Sequence, residues 1–267
     1  MPAQLTVHEH FASNNDGWVL HLRQVFHPER LRPELHPVVI VPGYGMNSFI
    51  FGFHPRGTSM EKAFADAGLE VWSVNLRAQG ASRATKSNPP PPSLRGFAEM
   101  DLFSALEAVA AKTRTRQSTA SVIGCSLGGS IAYALLALHP DHRVHALVTI
   151  GSPLRWVDVP LPFELAFKHP RLIGLVRPRG TRRLAHAAFP LIEKLPWVIR
   201  PYMNPAHVDL AAAGDLTRTI EDPHPKVNRD IAHWIHERDM LLRGVNVTEA
   251  LRSASLPLMI VLANRDG

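Results

Sequence analysis

Apolar residues fall along this chain in two rhythms. Leu5 to His10 and Trp18 to Val25 alternate in character, and Asn14-Asn15-Asp16-Gly17 between them supplies turn chemistry. That pattern predicts an antiparallel hairpin. Pro37-Val38-Val39-Ile40-Val41 is a continuous apolar run, closed by Pro42-Gly43-Tyr44-Gly45. Such a run predicts a strand buried on both faces. Glu70 to Asn75, Ala120 to Ile123 and Ala146 to Ile150 predict further strands, and Pro257 to Ala263 one more. Between them the period changes. Thr58-Ser59-Met60-Glu61 reads as a capping box opening a helix that Gly68 ends. Leu94, Phe97, Leu102, Leu106 and Val109 recur near helical spacing, so one helix is expected from about Leu94 to Lys112. Ile131 to Leu138 predicts another, stopped at His139-Pro140.

Strands alternating with helices predict an α/β fold, a mostly parallel sheet flanked by helices. The alternation breaks after Pro153 and resumes at Pro257, with short helical pieces such as Ile231 to Leu242 in between. Three parts are expected: core over 1–151, a helical cap inserted over 152–256, and a core strand over 257–267. A chain of 267 residues, 45% of them hydrophobic, suits one domain with an insertion. The single cysteine, Cys125, excludes an intrachain disulfide framework and a thiolate metal cluster. The start does not read as a signal peptide, and no apolar run is long enough for a bilayer span, so a soluble cytoplasmic protein is the default expectation. The net charge is +6, and Lys168, Arg171, Arg177, Arg179, Arg182 and Arg183 cluster with no acid between them. Such a cluster attracts anionic lipid, acidic substrates or nucleic acid, or is simply a solvated basic face. No aromatic interleaving or helix-turn-helix pattern accompanies it, so the solvated face is favoured and no nucleic-acid partner is expected.

The stretch Gly124-Cys125-Ser126-Leu127-Gly128-Gly129 carries the candidate chemistry. It lies between a strand and a helix, the setting in which a Ser within G-x-S-x-G forms a nucleophile elbow. Gly124 and Gly128 permit a turn too tight for side chains. The helix start behind Ser126 offers N–H donors and a positive dipole end. No phosphate-binding loop and no His/Asp/Glu cluster with ligand spacing stands out, so neither metal nor cofactor is expected.

In four places, taken in order, the chain resembles the α/β-hydrolase family. Val39 to Gly45 is similar to its oxyanion strand and loop, and Asn75 to Ser82 to its D-x-R-G-H-G-x-S loop. Gly124 to Gly129 is similar to its elbow, and Leu258 to Asp266 to the strand ending in the triad acid. The resemblance implies Ser126 as nucleophile and Asp266 as the acid that orients a catalytic His. It implies the backbone N–H groups of Tyr44 and Leu127 as oxyanion donors. Pro42 stands where the family often has His, and Ala78-Gln79 where it has Gly-His. Cys125 sits beside the nucleophile, where a small packed thiol is expected.

A Ser nucleophile needs a base, which in this family follows the acid in the chain. Only Gly267 follows Asp266. Two readings compete, a truncated hydrolase and a chain that has lost catalysis; a third borrows His207, His224, His233 or His236 from the expected cap. The apolar edge that Leu258 to Ala263 would then form favours truncation, with the His beyond position 267. The expected activity is serine-dependent cleavage of carboxylic esters through an acyl-enzyme, on a small acyl substrate; the apolar stretches of the cap suit a hydrophobic one or simply pack the cap onto the core. An acyltransferase and a non-catalytic hydrolase-like protein are the alternatives.

Overall fold

The computed structural model describes residues 4–159, 161–175, 178–194 and 209–263. Strands β1 (Thr6–Ser13) and β2 (Trp18–Phe26) form the expected antiparallel hairpin, Thr6 opposite Phe26 and Ser13 opposite Val19. The Asn14 side chain closes its turn by accepting the Asp16 and Trp18 N–H groups. Strand β3 (Val38–Val41) is buried throughout. It leads through α1 (Phe49–Gly52) and α2 (Met60–Asp66) to β4 (Val71–Asn75), also buried throughout. Ser59 caps α2 by accepting the Lys62 N–H. Glu61 does not close the expected capping box; it is buried, accepting from Arg23 and from the Ser73 hydroxyl. A short β5 (Arg83–Ala84) pairs with β2.

The helix expected from Leu94 to Lys112 is present but not uniform. Gly96–Leu102 is a π-helical stretch, and regular helix α3 (Phe103–Lys112) begins only after it. Within the wide stretch Asp101 is fully buried, where it meets Arg77. Strand β6 (Ala120–Cys125), helix α4 (Leu127–Leu138) and strand β7 (Val144–Ile150) follow. Beyond β7 the chain leaves the sheet. Its described part contains α5 (Leu161–Phe167), α6 (Pro170–Ile173), α7 (Thr181–Lys194), α8 (Ala213–Leu216) and α9 (Pro225–Glu237). A small hairpin of β8 (Leu241–Leu242) and β9 (Val245–Asn246) and a last helix, α10 (Val247–Ala250), complete it. Of the helical piece expected over Ile231 to Leu242, only Ile231 to Glu237 is helical, as the second half of α9, which starts earlier with Pro225 in its first turn; Leu241–Leu242 is strand β8 instead.

Strand β10 (Leu258–Val261) then returns to pair with β7. The strand order is β1-β2-β4-β3-β6-β7-β10, eight strands with β5, parallel from β4 to β10 and antiparallel at the β1, β2 and β5 side. Residues Leu258 to Leu262 are exposed, an apolar edge of the kind the sequence pattern leads one to expect. Side chains of β3 alternate between two cores, as the strand period of two requires. Val39 and Val41 join the larger core with α3, α4 and α9, whereas Val38 and Ile40 join a smaller one with α1 and α2. A strand packed on both faces holds its C-terminal end firmly, and at that end of β3 and β6 the candidate site is built.

Candidate active site

Ser126 sits at the end of β6, directly before α4, with φ +51° and ψ −123°. That backbone region is almost reserved for glycine and costs about 1–3 kcal/mol in another residue. The Ser126 N–H donates to the Ile150 carbonyl at the end of β7 (2.8 Å), and the Ser126 side chain is exposed. Close packing enforces the turn. A Cβ on Gly124 would lie 2.3 Å from the Gly129 Cα, and one on Gly128 would lie 2.4 Å from the Val41 carbonyl oxygen. Both glycines singled out in the sequence are therefore required by contact. Gly129 belongs with them, since a Cβ there would lie 2.2 Å from the Ser152 hydroxyl.

The loop after β3 runs beside this turn. A Cβ on Gly43 would approach the Ser126 Cβ to 3.2 Å. Gly43, Tyr44 and Gly45 line one side of a cleft of about 430 Å³, open to solvent, and Leu127 lines it from the elbow. Tyr44 and Leu127 thus line one cleft, and the loop that carries Tyr44 packs against Ser126. Leu127 opens α4, where a helix leaves its first N–H groups without intrahelical partners. No hydrogen bond occupies the N–H of Tyr44 or of Leu127 among the described residues. Two such donors beside a hydroxyl have the composition of an oxyanion hole.

The Tyr44 loop is held by a distant segment. Gly45 accepts the Glu221 N–H (2.8 Å), Asn47 donates its N–H to Thr219, and Thr219 returns its hydroxyl to the Asn47 carbonyl. The Glu221 carboxylate accepts from the Asn47 side chain (2.5 Å), the Gly80 N–H (2.9 Å) and Arg182 (3.3 Å). The Tyr44 hydroxyl donates to the buried Asn228 of α9 at 2.5 Å, and desolvation pushes its pKa up to about 12. Sequence reasoning missed this whole clamp, because Tyr44 and Asn47 lie more than 170 residues from the partners that hold them.

The loop after β4 is fixed from within. Ala78 has φ +60°, and the Gln79 side chain accepts the Leu76 N–H. Asn75 accepts the Ser48 N–H and donates to His21, tying this loop to the Tyr44 loop and to β2. Arg77, almost wholly buried, makes bidentate bonds to Asp101 and an ion pair with Asp16. Its guanidinium is committed to this structural network.

Four histidines were candidate bases. His207 lies outside the described residues, and His233 and His236 are exposed on α9. His224 does line the cleft, facing the Tyr44 loop across it. Its Nδ1 accepts the Lys226 N–H as the cap of α9, which places the ring proton on Nε2. Asp266 also lies outside the described residues. The strand before it, β10, runs parallel to β7, with Val261 paired to Ile150, and so leaves the sheet at the end where Ser126 stands. Cys125 packs against the smaller core, and desolvation pushes its thiol up to about 11. It is the packed side chain expected, protonated at neutral pH. Among the described residues no cluster of His, Cys, Asp and Glu is arranged to hold a metal ion.

Comparison with curated protein sequences returns no match. Among solved structures, the esterase EaEST from Exiguobacterium antarcticum is similar with a TM-score of 0.56 at 15% identity, over 95% of this chain and 80% of its own. The esterase RhEst1 from Rhodococcus sp. ECU1013 gives 0.53 at 19%, over 96% and 80%. A bromoperoxidase from Bacillus anthracis gives 0.54 at 14%, over 96% and 81%. At such identities the likeness extends to the fold alone. The profile of the α/β hydrolase fold matches residues 36–186, more than half of the sequence, and takes in the Tyr44 loop, the Arg77 loop and the elbow. The chain belongs to the α/β hydrolase fold family.

Proposed function

We propose that this protein is a serine hydrolase of carboxylic esters, with Ser126 as nucleophile and residues 152–256 as a cap over its cleft. The observation that carries this reading is the meeting of three groups from two loops. The strained Ser126 turn presents an exposed hydroxyl, Gly43 packs against it, and Tyr44 and Leu127 line the adjoining cleft. Ser126 Oγ attacks the ester carbonyl carbon and gives up its proton to an imidazole, whose orientation falls to Asp266. The carbonyl oxygen takes the negative charge between the two amides, each worth a few kcal/mol in the transition state. The C–O bond to the alcohol then breaks, the imidazole returns the proton to the leaving alkoxide, and water cleaves the acyl-enzyme.

The protonated Tyr44 phenol and the apolar wall of Phe97, Ile131 and Val227 favour an uncharged acyl group in the cleft. A fluorophosphonate probe tests the assignment. Labelling is expected to map to Ser126 by mass spectrometry and to vanish in Ser126→Ala. Labelling that persists in that variant overturns the nucleophile.

A further inference from the structure

Apart from β10 and Leu262 after it, the most exposed apolar side chains among the described residues fall in one stretch. Val157, Leu161, Leu165, Leu172, Leu175 and Leu184 are 60–77% exposed. The inner sides of α5 and α6 are accounted for. Both helices pack on α9 and on each other, and Val159 and Phe167 rest on the larger core. Leu161 and Leu165 lie one helical turn apart on α5, and Leu172 and Leu175 are three residues apart on α6 and the turn after it.

Cations stand among these leucines. Lys168, Arg171, Arg179 and Arg183 are exposed, and none of them has an ion-pair partner among the described residues. Arg182 alone is paired, with Glu221. The two acids of the stretch, Asp158 and Glu164, both lie toward its start.

We propose that this surface, the outer side of α5 and α6, docks on an anionic lipid bilayer. The residues match the two layers of such a surface. Leucine tips suit the boundary between headgroups and acyl chains, and unpaired cations suit the lipid phosphates. The protein's net charge of +6 draws it to the same surface from a distance. A second copy fits less well, because a two-fold contact would set the Lys168 and Arg171 cations of both copies against each other. Nucleic acid would meet the cations but leave the leucines in water. The proposal is independent of the chemistry at Ser126.

Co-sedimentation with vesicles tests it, comparing phosphatidylcholine containing phosphatidylglycerol with phosphatidylcholine alone. The protein is expected to partition onto the anionic vesicles and to be released by salt. Lys168→Glu and Arg171→Glu are each expected to weaken partitioning at least about fivefold. Lys112→Glu, the same charge change on exposed α3 surface, is expected to weaken it less than twofold. The triple variant Leu165→Gln, Leu172→Gln and Leu175→Gln, which removes only exposed side chains, is expected to weaken it at least about tenfold. Circular dichroism confirms that each variant keeps its fold. Failure of the wild type to bind anionic vesicles at low salt overturns the proposal. So does equal weakening by Lys112→Glu, which reduces the effect to net charge. Full binding by the leucine variant, a dimer that this variant dissolves, or preference for nucleic acid over vesicles likewise overturns it.

Discussion

The two loops that meet at Ser126 are held in place by different means. The elbow is fixed by near neighbours: Gly124 against Gly129, Gly128 against the end of β3, and the Ser126 N–H on β7. The Tyr44 loop is fixed by residues from the other end of the chain, Thr219, Glu221 and Asn228, through hydrogen bonds. One side of the proposed oxyanion hole therefore inherits its shape from the sheet. The other takes its shape from the 217–228 segment and moves when that segment moves. A site built this way keeps its nucleophile rigid while leaving one donor adjustable.

The largest effect is expected where the elbow touches β3. A methyl group at Gly128 would lie 2.4 Å from the Val41 carbonyl oxygen and 2.6 Å from that of Pro42. Both are backbone atoms at the end of an interior strand, so neither side yields without disturbing the sheet. Gly128→Ala is expected to cost about 3 kcal/mol or more, read as a fall in the urea midpoint at constant slope. A loss below about 1 kcal/mol would mean that the elbow is softer than its packing implies.

Glu221→Ala addresses the other loop and is expected to cost less, about 1–3 kcal/mol. It leaves the Gly80 N–H and the Asn47 side chain without their acceptor. The sharper readout is local. Amide exchange is expected to speed up at residues 45–47 and at Gly80, and to stay unchanged at 122–130. Faster exchange at the elbow as well would show that the two sides are one unit and would break the comparison.

This division also governs what the sequence discloses. The elbow is legible because its glycines, its Ser and its flanking strand and helix are contiguous, from Ala120 to Leu138, and contact geometry alone demands the glycines. The hairpin, the buried β3 and β4 and the return of β10 are legible for the same reason, since periodicity is a local property. The Glu221 clamp is not, because a carboxylate reaching Asn47 and Gly80 leaves no spacing signal. Glu61 teaches the complementary lesson: it had the position of a capping residue, but the Arg23 and Ser73 groups behind it offered a buried partnership instead. The π-helical stretch was hidden similarly, its apolar spacing being compatible with a regular helix while Asp101 is engaged by Arg77.

The smallest effect concerns Asp222, the neighbour of Glu221, and asks how far the clamp extends. Its carboxylate accepts the Thr181 hydroxyl and the N–H groups of Thr181 and Gly180, so it caps the start of α7. The Thr181 hydroxyl bond, aided by those two N–H groups and by Arg182, holds its pKa below the usual carboxylate value against a small opposing desolvation. A carboxylate whose folded pKa lies below its unfolded value of about 3.9 adds stability above that value. The contribution is lost as pH falls through the lower, folded value. Protection of the Leu184 amide, bonded to the Gly180 carbonyl, is therefore expected to hold from neutral pH down to about 4 and to weaken below it. Asp222→Asn should weaken that protection at neutral pH and remove most of the acid dependence, with little change in global unfolding because the group is exposed. If the same substitution also accelerates exchange at residues 45–47, then Glu221 and Asp222 transmit one motion, and the start of α7 and the Tyr44 loop shift together. If only the start of α7 responds, the chain between these adjacent acids isolates the loop beside Ser126 from the helix that leads away from it.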